Sequence, residues 1–250
     1  MDLIAAGPIA ADVSHSFDLY WNSGWAFAPK AFYSEKPDEK EGRGFTQAAE
    51  EIGKLMKETK KELLIVSPYF VPTEKGVEGL RNLVSRGIKI RVLTNSLASN
   101  DVVITNTGYK RYRKPLLEAG VELYELRADA EDRGFYSTEP VESKWLGLHA
   151  KVIISDKTKV FVGTMNLDPR SMIQNTEIGL IITSPELADQ IITAFKRDID
   201  PKNSWRVLLD ENGSVIWKSR AGTRKSQLAK NIWQRIQDWL LPASLTEDQI

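Results

Sequence analysis

From Phe45 onward the hydrophobic and polar positions fall into a regular order. Phe45, Ala48, Ala49, Ile52, Leu55 and Met56 recur at helical spacing with Lys and Glu on the opposite face, so a helix that buries one side is expected. Leu63–Ser67 is a short apolar run ended by Pro68 and reads as a buried strand. Val77, Leu80, Leu83 and Val84 mark a second helix that Gly87 stops, and Ile88–Leu93 alternates with Lys89 and Arg91 as a strand does. Tyr109–Ala119 reads as a helix ended by Gly120, followed by a strand over Val121–Leu126. Beyond a charged loop, Arg127–Lys144, lie three strand-like runs, Leu148–Ser155, Val160–Gly163 and Glu177–Thr183. A helix then runs from Pro185 to about Arg197. Trp205–Leu209 and Val215–Trp217 flank Asp210-Glu211-Asn212-Gly213, a hairpin signal, and a last helix spans Leu228–Leu241 before Pro242. Helix and strand alternate with short connections. The pattern predicts an α/β fold with a mixed, largely parallel sheet and helices on both faces.

Upstream, Val13, Phe17, Tyr20 and Trp21 give Ile9–Trp21 a helix-like spacing, and Ser34–Gly44 reads as an exposed connection. Neither an internal repeat nor a dividing linker is evident. The 250 residues are therefore expected to form a single domain, 1–250, with 1–44 as helix and connection.

Composition narrows the chemistry. Lys+Arg and Asp+Glu both number 34, so the chain lacks the broad basic field of a non-specific nucleic-acid binder, and nucleic acid is disfavoured as a partner. Cysteine is absent, which removes thiolate nucleophiles and thiolate metal ligands. With only two histidines, His15 and His149, far apart in sequence, no zinc site is expected, nor any other metal or cofactor. No apolar run approaches the roughly 20 residues that span a bilayer, and Met1–Asp12 is no basic-then-apolar leader. Membrane contact is expected to be peripheral. Near the C-terminus Lys218, Arg220, Arg224, Lys225, Lys230 and Arg235 interleave with Trp217, Trp233 and Trp239. That mixture suits an anionic membrane surface; a helix burying its tryptophans on the sheet accounts for it equally well.

Residues 149–166 read HAKVIISDKTKVFVGTMN. On a strand, i and i+2 share a face, so His149 and Lys151 project together, as do Thr164 and Asn166 after the next run. If the two runs are neighbours, an imidazole that can attack phosphorus or donate a proton meets an ammonium and a carboxamide that can hold phosphate oxygens. Tyr69, Asn95 and Asn100 follow predicted strands, at the carboxyl ends where open α/β sheets place ligands. They are candidate substrate contacts, with loop capping as the competing role.

His149-x-Lys151-x4-Asp156, followed after six residues by Gly163-Thr164-x-Asn166, resembles the signature motif of the phospholipase D superfamily, with Thr164 where serine is more usual. Asn166-Leu167-Asp168-Pro169-Arg170-Ser171 with Asn175-Thr176-Glu177, Ser67-Pro68-Tyr69-Phe70-Val71-Pro72, and Thr94 to Asp101 resemble the bacterial cardiolipin synthases, the C type above all. So do Tyr109-x-x-Tyr112-Arg113 and Gly120-Val121-Glu122-Leu123-Tyr124; the opening Phe17-Asp18-x-Tyr20-Trp21-Asn22-Ser23 resembles the segment after the first motif of those enzymes. One departure stands out: Asn106-Thr107-Gly108-Tyr109 occupies a place where that family often has histidine before Gly-Tyr.

The resemblance implies a phosphatidyltransferase that works through a phosphohistidine intermediate on phospholipid substrates, peripheral to the bacterial inner membrane. It implies His149 as nucleophile or acid, Lys151, Asn166 and Thr164 on the phosphate, and Glu177 accepting from the far imidazole nitrogen. Asp156, within the motif, is expected to tie a strand end or pair with a basic residue. Enzymes of this kind use two histidine motifs, and His15 has no lysine two residues on. The expectation is a C-terminal half whose second motif comes from a missing N-terminal half or from a homodimer mate. Phospholipase D hydrolysis, a homodimeric nuclease and an inactive isolated half remain the alternatives.

Overall fold

The computed structural model describes residues 11–15, 18, 46–136 and 146–240. The chain separates into two compact units, Met1–Arg43 and Gly44–Ile250. In the first, residues 11–15 are helical and His15 is exposed; Phe17, Tyr20, Trp21 and the expected connection Ser34–Gly44 lie outside the described residues.

The second unit begins with α1 (Gln47–Glu58), whose N-terminus is capped by Thr46 Oγ1 accepting from Ala49 N at 3.3 Å. Then follow β1 (Glu62–Val66), α2 (Thr73–Ser85), β2 (Lys89–Asn95), α3 (Val103–Lys110), α4 (Arg113–Glu118) and β3 (Glu122–Leu126). A 3₁₀ turn at Arg133–Phe135 precedes β4 (Val152–Ser155), β5 (Lys159–Gly163), α5 (Pro169–Ile173) and β6 (Gly179–Thr183). The chain continues through α6 (Pro185–Asp198), β7 (Ser204–Leu209), β8 (Val215–Ser219), β9 (Gly222–Arg224) and α7 (Ile232–Leu240). The helix expected over Tyr109–Ala119 is two helices, α3 ending near Tyr109 and α4 starting at Arg113. Gly87 follows the end of α2 and Gly120 that of α4, with φ of +85° and +87°, and each glycine lets the next residue bond back into the last turn.

The nine strands of the described residues form one sheet in the order β6-β5-β4-β1-β2-β3-β7-β8-β9. It is mixed, but the parallel part is confined to β1, β2 and β3, the strands joined by helical crossovers. Every other pairing is antiparallel. A largely parallel sheet is therefore corrected to one that is parallel only at its centre, because the β4–β5 and β7–β8 connections are hairpins too short for a crossover.

The central strands are buried on both faces. Leu63, Ile65, Ile90, Val92 and Leu123 pack with Ile52 and Leu55 of α1, Val77, Leu80 and Leu83 of α2, and Leu116 of α4. The alternate positions Leu64, Val66, Leu93, Ile154 and Val160 pack under Ala188, Ile191, Ile192 and Phe195 of α6. α6 itself starts on Ser184, which accepts from Leu187 N at 3.2 Å, with Pro185 in its first turn.

Candidate active site

The carboxyl ends of β1, β2 and β3 lie at one edge of the sheet, and the antiparallel register Val66↔Val152 brings the start of β4 to that edge. His149 and Lys151 therefore precede β4 at the edge where such sheets hold ligands; they lie just ahead of the paired strand rather than within it. β5 ends beside them, with Gly163 N donating to Lys151 O at 3.3 Å. Gly163 faces Gly179 across β5 and β6, and a Cβ at Gly163 would lie 2.5 Å from Ile178 O. This close approach, open only to glycine, draws Glu177 and Ile178 against Thr164.

Lys151 Nζ is 3.1 Å from His149 Nε2 and donates to His149 O at 2.9 Å. An ammonium only donates, so the imidazole Nε2 lone pair accepts from it. His149 is exposed at the rim and Lys151 half-buried. Burial lowers the Lys151 pKa, while the carboxylates of Glu177, Asp101 and Asp168 act in the opposite sense.

Thr164 donates its hydroxyl proton to Glu177 Oε2 and accepts from Ile178 N at 3.0 Å; Asn175 Nδ2 reaches Glu177 Oε1 at 3.1 Å. Glu177 is thus held by Thr164 and Asn175, not by the far nitrogen of His149, and the Thr164 hydroxyl is engaged by Glu177 rather than turned to a phosphate. Asn166 Oδ1 is buried and meets no donor among the described residues.

Asp156 is at the other end of β4. It sits in the β4–β5 turn at φ +52°, where Asp is tolerated, and accepts from the backbone N–H of Lys60 (2.9 Å), Lys61 (2.7 Å) and Glu62 (3.1 Å). Burial raises its pKa, but these three N–H groups outweigh it and hold the carboxyl below its ordinary range. It ties a strand end, as its sequence position suggested, stapling β4 to the start of β1 and taking no part in the site at the opposite edge.

The three substrate-contact candidates separate. Asn95 is buried and acts as a strand partner for Leu148, accepting from Leu148 N at 2.8 Å and donating to Leu148 O at 3.0 Å, with a further bond to Pro68 O at 3.3 Å. It positions the residue before His149 instead of meeting substrate. Asn100 is buried too, and caps its own loop by accepting from Val102 N and donating to Thr105 Oγ1, both at 3.0 Å. Tyr69 alone stays at the site, half-buried, donating to Asp101 Oδ1 at 2.9 Å. Burial and that carboxylate push its hydroxyl up to about 12, so it remains a donor.

Two further site residues lie inside segments that carry the family resemblance, but were not singled out in the sequence as functional. Asp101 holds Tyr69, and its carboxylate favours the charged form of Lys151. Asp168 is buried, caps α5 through Ser171 N at 2.8 Å, and has its pKa raised by burial. The Asp168-Pro169 pair ahead of Ser171 is a helix-start signal in the sequence. The loop after β1 and the loop after β5 are joined by Val71 N to Leu167 O at 2.7 Å and by Leu167 N to Ser67 Oγ at 3.2 Å, so Tyr69 and Asn166 are held close. Among the described residues no group of three or more His, Asp or Glu converges in a way that could hold a metal ion.

Residues 52–199, which contain every site residue above, match the family described as "Cardiolipin synthase, PLD-like domain". Cardiolipin synthase C of Escherichia coli K12 is 36% identical over 222 residues, covering 84% of this chain and 46% of that protein. A cardiolipin synthase of Halalkalibacterium halodurans is 30% identical over 152 residues, covering 61% of this chain and 26% of that one. The chain thus spans less than half the length of either relative. Among solved structures, the phospholipase D family member Nuc from Salmonella typhimurium aligns at 16% identity and a TM-score of 0.46, covering 65% of this chain and 94% of that one. With the family matched over more than half of its length, and over the whole of its candidate site, the chain belongs to the phospholipase D-like domain family of the cardiolipin synthases.

Proposed function

We propose that this domain supplies one half of a phosphatidyl-transfer site of cardiolipin-synthase type, with His149 as one of its two histidines. The observation that carries the reading is the 3.1 Å contact of Lys151 Nζ with His149 Nε2 at the carboxyl edge of the parallel strands, beside the end of β5 and the Thr164–Glu177 pair that follows it. An entering phosphodiester offers Lys151 a stronger acceptor than an imidazole. As its hydrogen bonds move to a non-bridging oxygen, the Nε2 lone pair is freed. One histidine then attacks phosphorus, forming a P–N bond as the P–O bond to the departing alcohol breaks, and the other histidine gives that alcohol its proton. The hydroxyl of a second phospholipid, such as phosphatidylglycerol, attacks the phosphatidyl-histidine, returns a proton to the second histidine and frees the first. Water in the hydroxyl's place makes the reaction hydrolysis.

Asn166, whose buried oxygen finds no partner among the described residues, would complete its hydrogen bonds at the occupied site. Glu177 and Asp101 keep negative charge near Lys151 and so favour its charged form against burial.

The other histidine of the chain, His15, is followed by Ser16 and Phe17 and so lacks the lysine partner. The second motif comes from another segment of a longer protein or from a second copy of the chain. No helix among the described residues is long and apolar enough to cross a membrane, in keeping with a peripheral place on the bacterial inner membrane.

In the complete enzyme, His149→Ala is expected to abolish lipid-to-lipid phosphatidyl transfer and the acid-labile, base-stable phosphoenzyme. Transfer at wild-type rate in that variant would refute the reading. For the 250-residue chain, light scattering is paired with a chromogenic phosphodiester: a monomer is expected to be inactive.

A further inference from the structure

The C-terminal helix α7 is built inside out. Gln234 is buried and Asp238 half-buried, whereas Ile232, Trp233, Trp239 and Leu240 are 65%, 70%, 81% and 61% exposed. At about 100° per residue, 234 and 238 share one side of the helix, and 232, 233, 236, 239 and 240 gather on the other. Helices of water-soluble domains turn the opposite way.

The inward polar contacts fix this orientation. Gln234 Nε2 donates to Leu97 O at 2.6 Å and its Oε1 accepts from Lys230 N at 2.6 Å. Asp238 accepts from Asn106 Nδ2 (3.0 Å), Thr107 Oγ1 (3.2 Å) and Gln227 Nε2 (3.0 Å), with Lys110 Nζ at 3.3 Å. Rolling the helix to bury its tryptophans would break all of these, so the apolar face stays outward.

Two cations belong to α7 and the segment leading to it: Arg235 on the helix, and Lys225 two residues before Gln227, which bonds Asp238. Lys225 and Arg235 are exposed and make no ion pair among the described residues, although the chain as a whole is neutral. The position is equally telling. The Leu97–Asn100 loop that Gln234 grips runs from Asn95, the clamp on Leu148, to Asp101, which accepts from Tyr69 at the site. α7 therefore stands beside the phosphodiester site.

We propose that α7 seats this domain on an anionic phospholipid bilayer. Ile232, Trp233, Trp239 and Leu240 enter the headgroup region, while Lys225 and Arg235 meet lipid phosphates. Exposed aromatic residues with exposed cations that make no ion pair among the described residues match an anionic lipid surface in both apolar and charged parts. This deepens the phospholipid reading by naming the surface that meets the lipid, and it is tested apart from catalysis.

The full chain is sedimented with vesicles of equal parts phosphatidylglycerol and phosphatidylcholine, and with phosphatidylcholine alone. The wild-type chain is expected to prefer the anionic vesicles. W233S/W239S is expected to bind them at least about tenfold more weakly, and K225E/R235E to lose the preference for phosphatidylglycerol. Because all four side chains are exposed, thermal unfolding of both variants should match wild type, and His149→Ala should sediment as wild type does. The proposal is overturned if the wild-type chain stays in the supernatant, if W233S/W239S sediments unchanged, or if the tryptophans instead hold a dimer that W233S/W239S dissociates. Vesicle failure with transfer intact sinks this surface alone; intact vesicle binding with an active His149→Ala enzyme sinks the chemistry alone.

Discussion

Replacing Asn95 by alanine tests whether the site is held from behind. The side chain is 2% exposed and spans both backbone groups of Leu148, at 2.8 and 3.0 Å, directly before His149. Alanine leaves the Leu148 N–H and C=O and the Pro68 C=O without this partner. Each buried orphan costs about 1–3 kcal/mol, and because Leu148 is only half-buried the sum should be about 2–4 kcal/mol. That is a large share of a typical domain's stability, roughly 5–15 kcal/mol. Urea unfolding of the chain reads the global cost. Amide exchange at Leu148 reads the local one, and should accelerate by one to three orders of magnitude, following the roughly tenfold per 1.4 kcal/mol of an equilibrium. In the complete enzyme kcat should fall with the loosened His149. Asn100→Ala is the control: it loses two 3.0 Å bonds in a buried loop yet leaves Leu148 untouched. Wild-type exchange at Leu148 in Asn95→Ala, or equal acceleration in both variants, would refute the clamp.

Lys151→Met should lower turnover of the complete enzyme by about 10²–10³ through loss of phosphate charge stabilisation, with little change in the urea midpoint. Glu125 receives Arg113 Nε at 2.6 Å and Trp217 Nε1 at 2.8 Å in a fully buried cluster. Glu125→Leu should therefore cost about 3–5 kcal/mol by leaving Arg113 uncompensated, and R113M/E125L should recover much of that in a calorimetric melt. Asp156→Ala should cost about 1–2 kcal/mol near neutral pH, from three backbone N–H bonds to one carboxylate. Because the folded Asp156 pKa is depressed, its contribution is present above the unfolded value of about 3.9 and is lost as pH falls through the folded one. Unfolding midpoints of wild type and Asp156→Ala should therefore converge in acid.

Most of the helices and strands from α1 to β8 were readable from apolar spacing, because that spacing records which face of each element leaves water; the break between α3 and α4 and the short α5 were not. The pairing of His149 with Lys151 was readable too, since two residues along an extended chain return to the same side. The bonds that decide the roles of neighbouring residues were not readable. Asn95 reaches Leu148 across 53 positions, and Asp156 reaches Lys60 across 96. A local pattern shows that an Asn or Asp follows a strand, but not which distant backbone groups will want its hydrogen bonds. Glu177 turned from His149 to Thr164 for the same reason, once Gly163 and Gly179 let β5 and β6 close on each other.

α7 marks the limit from the other direction. Its periodicity announces an amphipathic helix, and its composition fits burial on the sheet as well as exposure. Trp217 took the buried course and Trp233 and Trp239 the exposed one. Periodicity defines a helix's two faces without saying which one the protein keeps; Gln234 and Asp238 met backbone and amide partners on the Leu97–Asn100 loop and α3, and those directional bonds chose. Burial pattern is written locally along a chain, whereas hydrogen-bond partners and the outward face of a helix exist only once distant segments have met.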